Sequence, residues 1–251
     1  MLELKNISFA VDAEEKTKEI VRDVSLKIPA GKLIAVTGPN GGGKSTLAKL
    51  IAGIEKPTDG QILWNGIDIT DATVTERAKL GIAFAFQQPV RFKGIHVLDL
   101  IRIASGKQLS ASDACEYLSS VGLCARDYIG REVNSSLSGG ELKRIEIATV
   151  LARKATLSVF DEPEAGIDLW SFQNLIEVFR DLRAFIRDSS ILIISHQERI
   201  LSIADEIVVL KNGTIDRQGE RADVLPALIG TSAAINECRM KMPVKEGNAV
   251  C

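Results

Sequence analysis

The chain has 251 residues, of which 45% are hydrophobic and 25% are charged, a balance that fits one large globular domain or one domain with an inserted lobe. A formal net charge of −2 gives no positive field that would gather nucleic acid, so no nucleic-acid partner is expected. Apolar runs fall far below the roughly 18 residues that a membrane-spanning helix needs, and the sequence therefore predicts a cytoplasmic protein.

The first predicted elements are two strands, LELKNISFAV and IVRDVSLKI, within residues 2–28. Their apolar and polar residues alternate, which is typical of a half-buried antiparallel pair. Further along, LIAV, LSVF and ILII (residues 33–36, 157–160 and 191–194) are short apolar runs separated by helical patterns. Such runs suit a buried parallel sheet, so the predicted fold class is α/β with an antiparallel piece at its start.

The run at 33–36 leads into GPNGGGKST, which fits the phosphate-loop pattern GxxxxGK[ST]. Glycines let consecutive backbone N–H groups point into one concavity, and a helix that begins at about Lys44 turns its positive end toward the phosphates. Leu47, Leu50, Ile51 and Ile54 have helical spacing, and Gly53 with Pro57 ends the helix. The predicted phosphate and magnesium ligands are Gly38, Pro39, Asn40, Gly41, Gly42, Gly43, Lys44, Ser45 and Thr46, with Ser45 on the ion.

The next segment, FAFQQPV at residues 84–90, is an apolar run interrupted by two glutamines and stopped by a proline. An amide at the end of a strand is often a capping group or an edge residue. The segment alone leaves the role of Gln87 and Gln88 open.

Residues 134–144, NSSLSGGELKR, contain Ser138 and Glu141 at the spacing of a capping box. The apolar positions that follow, Leu142, Ile145, Ala148 and Ala152, predict a helix. From the local pattern this is a well-capped helix and nothing more.

The run at 157–160 ends in DEPEAGID, so two carboxylates follow a buried strand. Burial and mutual repulsion both disfavour their ionisation, and a magnesium ion removes that conflict. Asp161 is therefore predicted to hold magnesium, and Glu162 to orient or deprotonate an attacking water. The alternative is an exposed acidic turn before a helix capped by Asp168.

The third run ends in SHQERI, which places His196 at the end of a strand. A single histidine there is more often structural than catalytic. Three parallel strands, however, would bring Lys44, Asp161 with Glu162, and His196 to one edge of a sheet, where ligands bind in α/β folds. His196 is therefore predicted to reach the terminal phosphate.

Cysteine spacing gives no sign of a metal site. The four cysteines, Cys115, Cys124, Cys238 and Cys251, form no CxxC pair, and the chain has only two histidines. Structural zinc needs four closely spaced thiolate or imidazole ligands. The cysteines are interpreted as reduced thiols.

LSGGE, after a phosphate loop and before an Asp-Glu pair at a strand end, resembles the signature of the ABC-type ATPases, and the likeness spans nearly the whole chain. The resemblance implies a P-loop NTPase core with an antiparallel β piece and an inserted helical lobe. It divides the chain into core (residues 1–87 and 136–225), lobe (88–135) and C-terminal extension (226–251). It also implies ATP and Mg²⁺ as cofactors and hydrolysis of ATP to ADP and phosphate.

The family also implies roles for residues that spacing alone leaves open. Gln87 occupies the place of a glutamine that reaches magnesium and the attacking water. Two subunits would dock head to tail when nucleotide binds, so that Ser138, Gly139 and Gly140 contact the phosphates held by the partner. One departure concerns adenine, because the aromatic that usually stacks on it is replaced by Val11, with Phe9 two residues earlier.

The partner is implied by finer likeness within the family. FAFQQPV, LSGGELKR and AGID, and the missing aromatic at Val11, look more like the ATPase subunit of the Suf-type iron-sulfur cluster assembly machinery than like transporter subunits, which more often have LSGGQxQR and SALD. The expected partner is therefore a soluble iron-sulfur scaffold protein, with a transmembrane transporter subunit as the alternative. Arg91 and Phe92, beside the Gln87 hinge, are the expected anchor for that partner.

Overall fold

A computed structural model describes residues 1–13, 16–185 and 189–240. Of the four cysteines, Cys251 and the side chain of Cys238 lie outside this description, as does the last part of the predicted C-terminal extension. Within the described residues, no helix is both long and apolar enough to cross a bilayer.

Two β-sheets form the frame of the molecule. The smaller is antiparallel, with order β2-β1-β4-β5, and contains β1 (Leu2–Ala13), β2 (Lys16–Ile28), β4 (Asp59–Trp64) and β5 (Ile67–Asp68). Leu4 of β1 faces Leu26 of β2 on one side and Ile62 of β4 on the other. The predicted antiparallel pairing of the first two strands is therefore confirmed.

The larger sheet has six strands in the order β10-β9-β3-β8-β7-β6. These are β3 (Leu33–Thr37), β6 (Ile82–Ala85), β7 (Leu157–Asp161), β8 (Ser190–Ile194), β9 (Glu206–Lys211) and β10 (Thr214–Glu220). The five strands from β9 to β6 run parallel, and β10 pairs antiparallel to β9. The three apolar runs singled out in the sequence are β3, β7 and β8, so the predicted parallel sheet is confirmed.

Helices pack on this sheet, and four of those described lie in the chain between β6 and β7. They are α1 (Lys44–Ala52), α2 (Val74–Lys79), α3 (Val97–Ser105), α4 (Ala111–Ser120), α5 (Ala125–Tyr128), α6 (Gly139–Arg153), α7 (Leu169–Phe185), α8 (Glu198–Leu201) and α9 (Arg221–Met240). Helices α3, α4 and α5 fall within the predicted lobe, whose boundaries stay a prediction.

The parallel sheet is buried on both faces, which explains why its strands lack polar alternation. Leu33 and Ala35 pack into the core that contains α6 and α7, whereas Ile34 and Val36 pack on the other side with α1 and the antiparallel sheet. Successive side chains point to opposite faces of a strand, so both faces of β3 must be apolar. Both faces of β3 are therefore packed against the core up to the point where the phosphate-loop segment begins.

Most of the predicted helix patterns agree with the structure. Helix α1 begins at Lys44 and is capped at its end by Gly53, with Leu47, Leu50 and Ile51 buried. The prediction was wrong for Ile54, which is 36% exposed. Ile54 lies after Gly53, whose left-handed conformation (φ 77°) has already ended the helix, so the helical spacing no longer places its side chain in the core.

Candidate functional site

The segment between β3 and α1 has a backbone that only glycine permits at its key positions. Gly38 has φ +132°, and a Cβ there would lie 2.0 Å from the backbone oxygen of Leu210. Gly43, the residue that precedes α1, has φ +96°, and a Cβ would lie 2.7 Å from the oxygen of Ile20. The amide of Gly213 also donates to the oxygen of Gly42 at 3.2 Å. The turn after β9 and strand β2 therefore fix the loop from outside.

Lys44 lies against this loop. Its Nζ donates to the backbone oxygens of Gly38 at 2.9 Å and Pro39 at 3.0 Å, and the residue is only 5% exposed. Burial lowers the pKa of Lys44, while the charges of Glu162 and Asp161 act in the opposite direction. Pro39, Asn40 and Gly41 are exposed and Thr46 is half-buried. The loop thus presents exposed residues beside Lys44, whose ammonium group is held by two of the loop's own carbonyl oxygens.

Asp161 and Ser45 meet although 116 residues separate them. Asp161 is the last residue of β7 and is 2% exposed, and its Oδ1 accepts a hydrogen bond from Ser45 Oγ at 2.9 Å. Desolvation raises the pKa of Asp161, and the Ser45 hydroxyl opposes that rise. A hydroxyl and a carboxylate oxygen are hard ligands of the kind that Mg²⁺ prefers, so these two residues fit a magnesium ion.

Glu162, Gln87 and His196 form the opposite side of the site. Glu162 has the left-handed φ of 45°, and its backbone N–H donates to Ile194 of β8 at 3.0 Å. Its Oε2 accepts from Gln87 Nε2 at 2.6 Å, and His196 Nε2 lies 3.6 Å from its Oε1. A left-handed glutamate is costly and persists where its surroundings impose it. Three segments thus converge on one carboxylate.

The surroundings of His196 lower its pKa and so favour the neutral imidazole. Desolvation lowers its pKa most, the charge of Lys44 lowers it further, and Glu162 raises it. A neutral imidazole keeps one N–H donor and one lone pair. A neutral His196 can therefore donate one hydrogen bond without adding a positive charge to the site.

Glu164 and Ser195 belong to the site but were missed in the sequence. The Ser195 hydroxyl donates to Glu164 Oε1, and the Gln197 amide donates to Ser195 Oγ at 3.0 Å. The His196 amide also bonds Glu164, whose pKa is raised by burial. These bonds tie the chain after β7 to the chain after β8 and so orient His196. The pair has no sequence signature, because a glutamate in a turn usually faces solvent.

The predicted signature residues lie at the start of α6. Ser138 accepts from the Glu141 amide at 3.2 Å, and Glu141 Oε2 accepts from the Ser138 amide at 2.7 Å, which confirms the capping box. Gly139 is exposed, and the Gly140 oxygen accepts from Arg144. This helix end carries a positive partial charge and is open to a second anion. That Ser138, Gly139 and Gly140 contact phosphate stays a prediction.

The structure also bears on two further sequence details. Asp168 Oδ1 accepts a hydrogen bond from the backbone N–H of Ser171 at 3.0 Å. Asp168 therefore caps α7, as the alternative interpretation of this turn predicted. The helix cap at Asp168 does not replace the contacts of the two acids, since Asp161 still bonds Ser45 and Glu162 still bonds Gln87. Val11 is 37% exposed and pairs with Lys18 in the β1–β2 ribbon, whereas Phe9 is half-buried against the core.

The sequence is similar to those of a known protein family. The family model described as "ABC transporter" matches residues 21–165. An uncharacterized ABC transporter ATP-binding protein of Methanocaldococcus jannaschii is 37% identical over 82% of this chain and 85% of its own length. A probable ATP-dependent transporter of Synechocystis is 33% identical over 87% of this chain and 89% of its own.

Among solved structures, a bacterial ABC exporter with ATP bound superposes with a TM-score of 0.78 at 26% identity. The match covers 93% of this chain and 42% of the exporter. The remaining part of that exporter has no counterpart here.

Proposed function

The chain belongs to the ABC transporter family of ATP-binding proteins, and from that premise we propose that it is the ATP-hydrolysing subunit of a larger assembly whose partner docks beside Gln87. As a member of this family the chain is a Mg²⁺-dependent ATPase that converts ATP and water to ADP and phosphate. We propose the role of each residue in hydrolysis and the partner protein that hydrolysis drives.

The phosphates of ATP would lie in the loop of residues 38–46, with Lys44 on the terminal groups. Mg²⁺ would be held by Ser45, Asp161 and Gln87, and when bound it neutralises charge that develops on the phosphates. Ser45 and Asp161 are already in contact, and a bound cation would offset the desolvation that raises the pKa of Asp161.

Glu162 would hold the attacking water and accept its proton, while His196 would donate a hydrogen bond to the terminal phosphate. The observation that carries this proposal is the convergence of Gln87 and His196 on the Glu162 carboxylate. A general base must lie within hydrogen-bond reach of the proton that it abstracts, so the groups that fix the Glu162 carboxylate also fix its reach. Gln87, the last core residue before the predicted lobe, would sense the nucleotide and move with it.

Two subunits would be needed for turnover, docked head to tail so that Ser138, Gly139 and Gly140 of one cover the ATP of the other. The open, capped start of α6 supports this half-site. The rate per subunit should then rise with protein concentration. Light scattering during turnover is the test, because a strictly monomeric and fully active preparation would contradict the proposal.

The class of partner has two candidates. The names of the relatives, an ABC transporter ATP-binding protein, a probable ATP-dependent transporter and an ABC exporter, favour a transmembrane transporter subunit. The second candidate is a soluble iron-sulfur scaffold protein, which the motifs FAFQQPV, LSGGELKR and AGID favour. In either case we propose that the subunit works in the cytoplasm, where ATP is supplied.

The proposed docking surface is the hinge groove, formed by Phe86, Val90, Phe92, Leu142 and Ile145. Phe86, Val90 and Phe92 are 39%, 46% and 36% exposed, so three neighbouring apolar side chains face solvent beside Gln87. Aromatic and arginine residues are the usual anchors of interfaces. Phe92, with exposed Arg91 next to it, supplies both.

Affinity purification from the native cell, applied separately to membrane and soluble fractions, tests both the surface and the partner. We expect Phe92→Ala and Arg91→Ala to lose the stoichiometric partner and keep basal ATPase activity. Ile103→Ala, at a residue 67% exposed on α3, is the matched control and should keep the partner. An integral membrane partner excludes the scaffold, and a soluble one excludes transport. Unchanged recovery by both groove variants would remove this surface from consideration.

A further inference from the structure

Helix α6 contains a buried ion pair that no motif explains. Lys143 Nζ lies 3.0 Å from Glu146 Oε2, and their side chains are 0% and 14% exposed. The two residues are one helical turn apart and point to the same side. Burial of such a pair is costly, and replacing it with apolar residues of similar size is often neutral for stability. The pair therefore requires an explanation other than stability.

Both charges of this pair bind the same backbone residue, Phe86. Lys143 Nζ donates to the Phe86 oxygen, and Glu146 Oε1 accepts from the Phe86 amide at 2.9 Å. Phe86 follows Ala85, the last residue of β6. The helix thus satisfies both backbone polar groups of the first residue beyond the strand. We refer to these contacts as the Phe86 clamp.

The residue after the clamp is Gln87, whose Nε2 donates to Glu162 at 2.6 Å. Fixing both peptide groups of Phe86 restricts where the Cα of Gln87 can lie, and so where its amide can reach. The signature serine, Ser138, is the N-cap of the same helix α6. One rigid element therefore connects the proposed partner-facing half-site to the glutamine of the chain's own site.

Arg77 is another fully buried cation, but within the part of the chain that the structure describes it has no carboxylate partner of the kind that Lys143 has in Glu146. Among the described residues, its guanidinium donates to five backbone oxygens, those of Leu50, Ile51, Ile69, Thr70 and Ala72. Those bonds join the end of α1 to the turn after β5 and do not reach the site residues. Lys143, by contrast, is paired with a carboxylate and directed at the hinge.

We propose that Lys143 and Glu146 are positioning residues for Gln87, and that the Phe86 clamp transmits any displacement of α6 to that glutamine. The inference rests on the proposed role of Gln87 in hydrolysis. A signature helix drawn toward a second subunit would carry Phe86 with it and set the Gln87 amide against Glu162. Without the clamp, α6 would move and the glutamine would not follow.

Two double variants separate the effect of the hydrogen bonds to Phe86 from the effect of the two charges. Lys143→Gln/Glu146→Gln removes both charges but keeps an amide donor for the Phe86 oxygen and an amide oxygen for the Phe86 N–H. Lys143→Met/Glu146→Leu removes the charges and both hydrogen-bond partners of Phe86. We expect both to bind ATP, because the phosphate loop is untouched, and both to share any effect at Asp161, on which the charge of Lys143 acts. The leucine variant should lose about 10- to 100-fold in kcat, and the glutamine variant should lose no more than a small part of that.

Coupling to Gln87 is measured by a double-mutant cycle. Adding Gln87→Ala to the leucine variant should cost no further activity, because both changes remove one function. Additive losses, or equal kcat in the two double variants, would overturn the proposal. If the leucine variant does not fold, Lys143→Met and Lys143→Gln make the same comparison at the other end of the clamp. Arg77→Met is the control for a lost buried cation, with lower stability and normal kcat per folded molecule.

A direct readout keeps this test separate from the catalytic role of Gln87. The side-chain amide resonances of Gln87, assigned by their loss in Gln87→Ala, should move to solvent-averaged positions in the leucine variant. They should stay in place in the glutamine variant. Unmoved resonances in the leucine variant would refute the clamp whatever the kinetics. Normal turnover by Gln87→Ala alone would refute only the proposed role of that glutamine.

Discussion

The two sides of the site are built by different means. The phosphate side is one continuous segment, residues 38–46, whose backbone is enclosed so closely that a Cβ added at Gly38 would lie 2.0 Å from the Leu210 oxygen. The opposite side consists of Gln87, Glu162 and His196, from three segments, joined through one carboxylate. In the proposed function, binding would depend on local backbone, and hydrolysis on a long-range arrangement of side chains. Changes on the two sides should therefore separate binding from turnover.

The largest effect is expected on the side that holds Glu162. Glu162→Gln keeps the size and the hydrogen-bond reach of the side chain but removes the base, and general bases contribute about 10²- to 10⁴-fold to rate. We expect kcat to fall by about that factor while ATP affinity stays the same. Phosphate release under saturating ATP and equilibrium nucleotide binding are the two measurements. Near-normal release would end the assignment of Glu162 as the base.

On the phosphate side, two glycines provide a matched pair. Gly38→Ala would push a Cβ into the Leu210 oxygen, and Gly41→Ala would meet no atom within 4 Å although its φ of +76° is strained. We expect the free energy of unfolding without nucleotide to fall by about 3–5 kcal/mol for Gly38→Ala and by about 1–2 kcal/mol for Gly41→Ala. Urea unfolding measures both. Equal losses would show that the loop is not held by its outer contacts.

The same difference explains what the sequence could predict. The phosphate loop is local, so the spacing of Gly38, Gly43 and Lys44 was sufficient, as was the apolar run for each parallel strand. The assignments of Gln87 and Ser138 came only with the family resemblance. Glu164, Ser195 and the Lys143–Glu146 pair were missed, because their contacts join residues 31 to 60 positions apart or pair a cation with a backbone group. No sequence periodicity encodes such contacts.

The next effect concerns Lys44. Lys44→Ala removes a cation from a place where little solvent competes, and a hydrogen bond to a charged group contributes about 1.5–3 kcal/mol. We expect ATP affinity to fall by about 10- to 100-fold, with turnover lost as a consequence of weaker binding. Titration with a fluorescent ATP analogue is suitable. If affinity is unchanged while kcat falls, Lys44 belongs functionally with Glu162, and the division between the two sides does not hold.

The smallest effect is expected from His196, which lies between the two sides because Lys44 and Glu162 both influence its pKa. Its pKa in the folded state is lowered, so between that value and the ordinary value near 6.5 the unfolded chain binds more protons than the folded one. Stability contributed by the neutral imidazole is therefore complete above about pH 6.5 and declines as pH falls below it.

Replacing His196 by glutamine removes this proton uptake but keeps a hydrogen-bond donor. The wild type should consequently lose more stability between pH 7.5 and pH 5.5 than His196→Gln does. The difference between the two proteins isolates His196, since Asp161 and Glu164, whose pKa values are raised by burial, titrate in both. Urea unfolding at the two pH values gives the comparison. A smaller loss for the wild type would mean that the imidazole is charged in the folded state, with Glu162 rather than Lys44 governing it.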